Sequence, residues 1–325
     1  MRILGIGNAL VDIMTLLQGE YILREFKLPK GSMQLVDRER SEGIKAATAI
    51  FPRTWTSGGS AANTIHGLAM LGTDTGFIGS IGRDDIGDFF ENDMKKAGVN
   101  TLLIRRNSPT GTAVALITED TERTFATHLG AATELNETDL NPLLFEGYDI
   151  LYLEGYIINN PPLIETACKI AREKNMLVAI DLASYNVVEE HIDSFRRIVS
   201  GYVDILFAND QEAKAFTGLD GEQALHALSE MAPTVILKTG SEGSWLKTVD
   251  ETIKISAYPV KCVDTTGAGD HYAAGFLFGY ANKLPLEKCG ILGSFMAGKV
   301  IEIIGARMDN ARFREIKKEL NRILS

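Results

Sequence analysis

Short runs of almost continuously apolar residues constrain the fold of this chain more than any other feature. Residues 149–153 (Asp-Ile-Leu-Tyr-Leu) and 177–181 (Leu-Val-Ala-Ile-Asp) are the clearest examples. A strand with apolar side chains on both faces must be covered on both faces, as in a parallel sheet with helices on either side. We therefore predict an α/β fold with a doubly wound, mostly parallel sheet flanked by helices.

Strand-like and helix-like segments alternate along the chain, as expected for such a sheet. The predicted strands are residues 2–7, 75–81, 149–153, 177–181, 203–209, 234–239 and 244–249. The predicted helices are residues 61–71, 86–97, 162–174, 210–216, 221–231, 270–282, 286–304 and 310–324. Together they predict a single α/β domain over residues 1–325.

Two stretches do not follow this alternation. Residues 13–50 are polar and irregular, whereas residues 99–128 contain an alternating segment at 112–118. A two-residue period is typical of a strand. We therefore expect a small β-rich lid, formed from about 13–50 and 99–128, that projects from the main sheet.

Charge and composition exclude several classes of protein. The 33 basic and 43 acidic residues give a net charge of −10, which argues against a nucleic-acid partner. The sequence shows neither an apolar run long enough for a membrane span nor a signal peptide, so we expect a cytoplasmic protein without a membrane partner. Three widely separated cysteines (Cys168, Cys262 and Cys289) are expected to be buried thiols in a reducing compartment.

The segment Asp264-Thr-Thr-Gly-Ala-Gly-Asp270 carries the strongest functional signal. It follows an apolar run at 257–263, predicted as a strand, and opens an apolar helix. Small residues at a helix N-terminus expose backbone amides and favour an anion. A helix cap would explain Asp270 alone, but not the small residues before it. The amides expected to form an anion hole beside Asp270 belong to Gly267, Ala268 and Gly269.

Polar residues end three of the predicted strands, at Asp181, Asn209 and Thr239. Ligands of open α/β sheets bind outside the carboxyl ends of the strands, so a crevice is expected there. Glu212 follows Asn209 by three residues; this spacing suits either a magnesium ion held through water or a helix capping box. The glycine-rich segment 238–243 would let a nucleotide phosphate come close to the backbone. The alternative for this segment is a hairpin turn.

Two N-terminal segments predict contacts with a polar, hydroxyl-rich ligand. Ser57-Gly-Gly-Ser-Ala-Ala-Asn63 leads a glycine pair into a helix, where backbone and the Asn63 amide can approach a ligand closely. The alternative is a simple turn with Ser60 as helix cap. Residues 5–12 form a tight strand exit that presents Asn8 and Asp12, for which a helix cap or an ion pair is the alternative to binding.

With these motifs identified, the chain resembles the PfkB, or ribokinase-like, family of carbohydrate kinases. The Gly58-Gly59…Asn63, Asn209…Glu212 and Asp264…Asp270 motifs occur in the family's order. Segments 7–13, 109–112 and 153–156 resemble the adenosine-kinase branch most. The resemblance implies transfer of the γ-phosphoryl group of ATP, with Mg²⁺, to a primary hydroxyl of a small-molecule sugar or nucleoside.

The resemblance also implies residue roles. Asp270 would be the base, and Arg123 from the lid would approach the transferred phosphate. The residues around the acceptor would be Asn8, Asp12, Gly58, Gly59, Asn63 and Tyr156. Those around ATP would be Asn209, Thr239, Gly240, Gly243, Ala297 and Gly298. Asp264 and Thr266 match positions that hold a monovalent cation such as K⁺ in some members, and Glu212 would act on Mg²⁺ through water.

Three readings of the function remain open from the sequence. The first is a kinase of adenosine or a related ribonucleoside, with Tyr156 and Ile157 opposite Leu10 around the base. The second is a kinase of ribose, fructose or 2-keto-3-deoxygluconate. The third is a non-catalytic sensor of nucleotides or sugars, against which the complete Gly-Ala-Gly-Asp sequence argues. The lid allows either a monomer or a homodimer formed through the lid.

Overall fold

The computed structural model describes residues 1–120 and 122–324, which form two sheets and the helices around them. The strands are β1 (Ile3–Ile6), β2 (Leu10–Leu16), β3 (Met33–Leu35), β4 (Arg53–Gly58), β5 (Thr75–Gly82), β6 (Asn100–Arg106), β7 (Gly111–Ile117), β8 (Arg123–His128), β9 (Ile150–Glu154), β10 (Leu177–Asp181), β11 (Ile205–Asn209), β12 (Thr234–Lys238), β13 (Ser244–Lys247) and β14 (Thr252–Ile255). The helices are α1 (Tyr21–Glu25), α2 (Arg38–Ala47), α3 (Ser60–Leu71), α4 (Asp85–Lys96), α5 (Pro161–Glu173), α6 (Tyr185–Glu190), α7 (Ile192–Tyr202), α8 (Asp210–Thr217), α9 (Gly221–Ser229), α10 (Ala268–Ala281), α11 (Leu286–Val300) and α12 (Asn310–Leu324).

The main sheet has nine strands in the order β14-β13-β12-β11-β10-β9-β1-β5-β6 within the described residues. Its strands run parallel from β12 to β6, while β13 and β14 are antiparallel at one edge. The predicted fold class is therefore confirmed, with a mixed edge. Strand β14 was not predicted, because its polar sequence and short length give little signal.

Helices cover both faces of the main sheet, which is why its strands are apolar on both sides. Successive residues of β1 point to opposite faces: Ile3 packs in one core cluster and Leu4 in the other. Tyr152 packs on the same side as α3 and α10, whereas Leu151 faces α5 and α7. The sheet is thus held between two apolar cores.

The second, smaller sheet is the predicted lid, but its boundaries differ from those expected. Its strand order is β3-β8-β7-β2-β4. Residues 100–106, assigned to the lid from sequence, instead pair with β5 in the main sheet. The lid also takes residues 53–58, beyond the expected limit of 50, and begins at Leu10 rather than at 13. Alternation within a strand does not identify the strand's partner, since pairing is a tertiary interaction.

Three further local predictions are wrong. Residues 13–50 are not irregular, because they include α1 and α2 as well as part of the lid sheet. Residues 257–263 form no strand; the Tyr258 amide donates to Ser294 Oγ of α11, and the Val263 amide to the Ile301 carbonyl. Cys262, in the same segment, is exposed rather than buried. An apolar run can pack on a helix without joining a sheet.

No described helix combines the length and apolar character needed to cross a bilayer. The strands β10, β11 and β12 are neighbours and run in the same direction, so their carboxyl ends lie at one edge. Asp181, Asn209 and Lys238 are the last residues of these strands. This edge, together with the N-termini of α3 and α10, surrounds the cleft described next.

Candidate active site

A cleft of about 280 Å³ lies between the carboxyl edge of the main sheet and the N-termini of α3 and α10. Many predicted site residues line it: Gly59, Asn63, Tyr156, Asn209, Glu212 and residues 267–270. Five further lining residues were not predicted as site residues: Ser60, Asp181, Ala183, Lys238 and Thr265. The pattern of polar residues at the ends of predicted strands had already pointed to Asp181. The same pattern would have identified Lys238 if the strand predicted at 234–239 had been ended one residue earlier, where β12 ends in the structure.

The Asp270 carboxylate is held in the cleft by two side chains of α3. Ser60 Oγ donates to Asp270 Oδ1 at 2.7 Å, and Asn63 Nδ2 donates to Asp270 Oδ2 at 2.8 Å. Burial raises the pKa of Asp270 to about 6, although these two hydrogen bonds oppose the rise. Ser60 is not the helix cap considered from sequence: Gly59 is the N-cap residue, and Ser60 contacts the candidate base instead.

Close packing of α3 on α10 brings these groups together. A Cβ on Gly67 would lie only 3.0 Å from the Ala274 Cβ, so the glycine allows the two helices to approach. Thr64 Oγ1 also donates to the Asp270 carbonyl at 3.1 Å. Residues far apart in the sequence thereby share one side of the cleft.

The three amides expected to form an anion hole differ in their hydrogen bonding. Gly267, the N-cap of α10, has φ +77°, and its amide and that of Gly269 have no hydrogen-bond acceptor within the described part of the chain. The Ala268 amide, in contrast, donates to the Thr265 carbonyl at 3.1 Å. Ala268 is therefore not a free donor as predicted, because the turn that starts the helix uses its N–H group.

Gly58 and Gly59 are required by close approaches of the neighbouring strand exit. A Cβ on Gly58 would lie 2.5 Å from Asp12 Oδ1, and one on Gly59, which has φ +99°, would lie 2.1 Å from the Asn8 carbonyl oxygen. Asn8, Asp12 and Gly58 thus lie directly behind the cleft-lining Gly59. Burial raises the pKa of Asp12 to about 6, while the charge of Arg307 lowers it.

Glu154 fixes this region from the main sheet, a role that the sequence analysis missed. Its carboxylate is fully buried at the end of β9 and accepts from the Asn8 amide at 2.9 Å, from Asn8 Nδ2 at 2.6 Å and from the Ala61 amide at 2.8 Å. The hydrogen bonds link the main sheet, the connection to the lid and the start of α3. Asn8 faces Glu154 through its side chain rather than the cleft.

Two carboxylates and one ammonium group lie at the strand ends. Lys238 Nζ donates to Asp181 Oδ2 at 2.6 Å. Glu212 and Asn209 form the capping box that the sequence left open: the Asn209 amide donates to Glu212 Oε2 at 2.8 Å, and the Glu212 amide to Asn209 Oδ1 at 2.9 Å. Glu212 nevertheless lines the cleft, and burial raises its pKa above the ordinary value.

The residues expected around ATP are only partly at the cleft. Thr239, Gly240 and Gly243 form the hairpin turn considered as the alternative, in which the Thr239 amide donates to the Gly243 carbonyl at 2.9 Å. Ala297 and Gly298 lie within α11, and a Cβ on Gly298 would lie 2.9 Å from Tyr258. These five residues are not part of the cleft lining.

Arg123 of the lid contacts the Asp264 carboxylate and lies 3.3 Å from Thr266 Oγ1. The Gly305 amide also donates to Asp264 Oδ2 at 2.6 Å. Burial by itself raises the pKa of Asp264, but the Arg123 contact and the backbone amides hold it below the ordinary value. Arg123 therefore links the lid to the 264–270 segment instead of lining the cleft.

Comparisons with known proteins identify the family of the chain. The sequence profile described as pfkB family carbohydrate kinase matches residues 41–311. An uncharacterized sugar kinase of Archaeoglobus fulgidus is 31% identical over 247 residues, which cover 74% of this chain and 96% of that protein. Adenosine kinase of Sinorhizobium meliloti is 34% identical, with a TM-score of 0.87 and 98% of each chain covered. A probable sugar kinase of Rhizobium etli is 32% identical, also with a TM-score of 0.87 and 98% coverage of each chain.

Proposed function

The chain belongs to the pfkB family of carbohydrate kinases, which transfer phosphoryl groups to alcohols, and on that premise we propose that its acceptor is a ribonucleoside resembling adenosine. The proposed reaction moves the γ-phosphoryl group of ATP to a primary hydroxyl of the ribose. The observation that carries the proposal is the Asp270 carboxylate, held by Ser60 and Asn63 in the cleft next to the free amides of Gly267 and Gly269.

Asp270 acts as the base in this proposal. A carboxylate has about four acceptor positions, so the hydrogen bonds from Ser60 and Asn63 leave room for the acceptor hydroxyl. The new bond joins the acceptor oxygen to phosphorus as the bond between phosphorus and the bridging oxygen of ADP breaks, and the hydroxyl proton passes to Asp270. General base catalysis of this kind contributes roughly 10²–10⁴-fold.

The family implies ATP with Mg²⁺, and the residues at the strand ends suit a hydrated magnesium ion. Asp181 and Glu212 offer carboxylate oxygens to the cleft, the ligand type that Mg²⁺ prefers. The described residues contain no group of three or more acidic, His or Cys side chains that could enclose a metal directly. Asp181 and Glu212 would therefore hold the ion through its water, and the ion would neutralise phosphate charge.

A monovalent cation at Asp264 and Thr266 is a separate part of the proposal. The Arg123 guanidinium already contacts the Asp264 carboxylate, so a cation there would require Arg123 to move. If Arg123 moved toward the transferred phosphate, it would leave the Asp264 carboxylate open to the cation. Exchange of K⁺ for tetramethylammonium in the assay tests the requirement, because a bound K⁺ cannot be replaced by so large an ion.

An apolar surface on the lid sheet favours a nucleoside, which carries an apolar base, over a sugar. The strand registers place Met33, Phe125 and Met14 in one row across the lid sheet. Leu35 and Asp12 lie in the next row on the same face of the sheet. This face is directed at the main body, because a Cβ on Gly305 would lie 3.0 Å from the Met14 sulphur. Leu35 remains 65% exposed and Met33 56% exposed, as expected for a surface that an apolar base covers.

Tyr156 supplies the facing side of such a slot. It lines the cleft, and its hydroxyl donates to the Ala183 carbonyl at 3.5 Å. Ile157, in contrast, packs in the buried core and does not join the slot. The likeness to sugar kinases keeps ribose or another sugar as the second candidate.

The experiment is a coupled ADP-release assay over ribonucleosides and sugars, with Asp270→Asn as the matched variant. We expect turnover with adenosine or a related ribonucleoside, and a loss of roughly 10²–10⁴-fold in kcat for the variant. Turnover confined to sugars would replace the nucleoside proposal with the sugar candidate. Absence of turnover with every acceptor would favour a sensor, and a fully active variant would remove Asp270 from the mechanism.

A further inference from the structure

We propose that Lys238 is a further catalytic residue, whose ammonium group contacts the phosphoryl group during transfer beside the amides of Gly267 and Gly269. The inference rests on the proposed kinase reaction and adds a cation that belongs to the chain itself. Lys238 was not among the predicted site residues. It is the first residue of the segment 238–243, in which the glycines carried the signal, and the last residue of strand β12.

The position of the ammonium group carries the proposal. Lys238 lines the same cleft as Asp270, and its side chain is 14% exposed. A Cβ built on Gly269 would lie 3.2 Å from Lys238 Nζ. The ammonium group therefore lies against the backbone at the N-terminus of α10, where the candidate anion hole opens.

The bonding of Lys238 leaves donors for a ligand. An ammonium group has three N–H donors. Asp181 Oδ2 accepts one of them at 2.6 Å, and the described residues provide no second hydrogen-bond acceptor for Lys238. An ion pair with only a structural role does not require a position in the cleft, whereas both Asp181 and Lys238 line it. The remaining donors are available to an anionic oxygen placed there.

Lys238 supplies a charge and hydrogen-bond donors to the cleft, while the role of base stays with Asp270, which Ser60 and Asn63 hold in place. The Asp181 carboxylate fixes the ammonium group from the other side, at 2.6 Å. A fixed positive charge in a partly closed cleft is worth more than one in water.

This charge has a defined task in the transfer step. The transferred phosphoryl group carries negative charge on three equatorial oxygens, while the acceptor oxygen approaches and the bridging oxygen of ADP departs. The hydroxyl proton passes to Asp270, and Lys238 keeps all of its protons. With the Ala268 amide bound to Thr265, the ammonium group supplies the donor that the hole would otherwise lack.

The test compares Lys238→Met with Lys238→Arg, and uses Lys247→Met on the neighbouring strand as the matched control. Lys247 lies on β13 and contacts Thr252 rather than the cleft. We expect Lys238→Met to lower kcat on the order of 10²-fold, as for loss of one oxyanion donor, with the KM of the acceptor unchanged. Lys238→Arg should recover part of the loss, and the control should keep wild-type kcat.

A binding measurement separates this role from a structural one. Calorimetry with a non-hydrolysable ATP analogue, ADP and AMP should show that Lys238→Met loses affinity for the analogue, with a smaller loss for ADP and none for AMP. Equal losses for all three nucleotides, or unchanged kcat, would overturn the proposal. The affinity measurements do not depend on turnover. If the wild type phosphorylates no acceptor, the proposed function fails, but the affinities still test the role of Lys238.

Lys238→Met leaves Asp181 buried without its partner, so folding needs its own control. The double variant Asp181→Asn, Lys238→Met removes both charges and avoids an unpaired carboxylate. We expect the double variant to fold, as judged by its thermal unfolding, and to keep the deficit in affinity for the analogue relative to Asp181→Asn alone. A folded double variant that binds the analogue as well as Asp181→Asn does would equally refute the role of Lys238.

Discussion

At the scale of single residues, Asp270 shows how neighbours adjust the pKa of a buried carboxyl group. Burial raises its pKa, while the hydrogen bonds from Ser60 and Asn63 oppose that rise. The charge of Asp181 raises the pKa further and that of Lys238 lowers it. The result is a carboxylate that is ionised at neutral pH and still basic enough to accept a proton.

We predict that kcat/KM falls as the pH decreases through about 6, because the pKa of Asp270 is about 6 and only the ionised form accepts the hydroxyl proton. Ser60→Ala removes a hydrogen bond that lowers this pKa, so the midpoint should move to higher pH. The pH profile of kcat/KM measures both effects. Asp12 also titrates near pH 6, since its pKa is raised to about 6; disappearance of the transition in Asp12→Asn would assign it to Asp12 instead.

Gly267→Ala should cost both stability and turnover. The alanine must adopt φ +77°, and its Cβ would lie 2.6 Å from the Ala306 Cβ. Gly218→Ala is the matched control, because Gly218 has φ +76° with nothing within 4 Å of the added Cβ. We expect the control to lose about 1–2 kcal/mol in urea denaturation and to keep its kcat, whereas Gly267→Ala loses more stability and most of its turnover. Equal behaviour of the two variants would contradict a close fit at Gly267.

At the scale of elements, β4 is the point where the lid is attached to the main body. Arg307, which follows α11, donates from Nε to the Ser57 carbonyl at 2.6 Å and from Nη2 to Ser57 Oγ at 2.7 Å. Ser57 Oγ in turn donates to Asp93 of α4 at 2.5 Å. These contacts hold the strand that leads directly into Gly58 and Gly59.

Arg307→Met should therefore loosen β4 and weaken acceptor binding. We expect a loss of about 2–3 kcal/mol in the free energy of unfolding, because two hydrogen bonds from a charged donor disappear. The KM of the acceptor should rise as well, since Asp12 loses the neighbouring charge that lowers its pKa. Arg314→Met, on the exposed surface of α12, is the control and should change neither denaturation nor KM. An unaltered KM for Arg307→Met would show that β4 does not need this anchor.

At the scale of the whole molecule, the cleft lies at the strand ends of the main sheet, and the second sheet is attached to the main body beside it. Glu154 of β9 connects the two, since it binds both Asn8, before the first lid strand, and the start of α3. Arg123 adds a contact from the lid to Asp264. The cleft is thus shaped by contacts between elements that are distant along the chain.

Removal of divalent cations should abolish turnover without unfolding the protein. The described residues contain no group of three or more acidic, His or Cys side chains that could hold a metal ion, and we predict that folding needs none. We expect excess EDTA to eliminate ADP release while the unfolding temperature of the nucleotide-free protein stays unchanged, and added Mg²⁺ to restore the activity. A decrease in unfolding temperature would instead reveal a structural metal ion.

Much of the fold was predictable, because apolar runs such as 149–153 and 177–181 can be satisfied only between two layers of helices. The local structure of the 264–270 segment could also be predicted, since glycine and other small residues before a helix leave the first backbone amides of the helix accessible. The lid boundaries were not, because residues 100–106 have the same local pattern whichever sheet they join. The same holds for residues 257–263, which are apolar but pack on α11.

The sequence by itself determined the doubly wound sheet, the position of Asp270 at a helix start and the glycines that allow close approach, because each depends on local side-chain chemistry and spacing. Only the tertiary structure decided that Ser60 holds Asp270, that Thr265 binds the Ala268 amide, and that Lys238 lies beside Gly269. Such contacts join groups through space. Their geometry is set by how helices and strands pack, which no local pattern specifies.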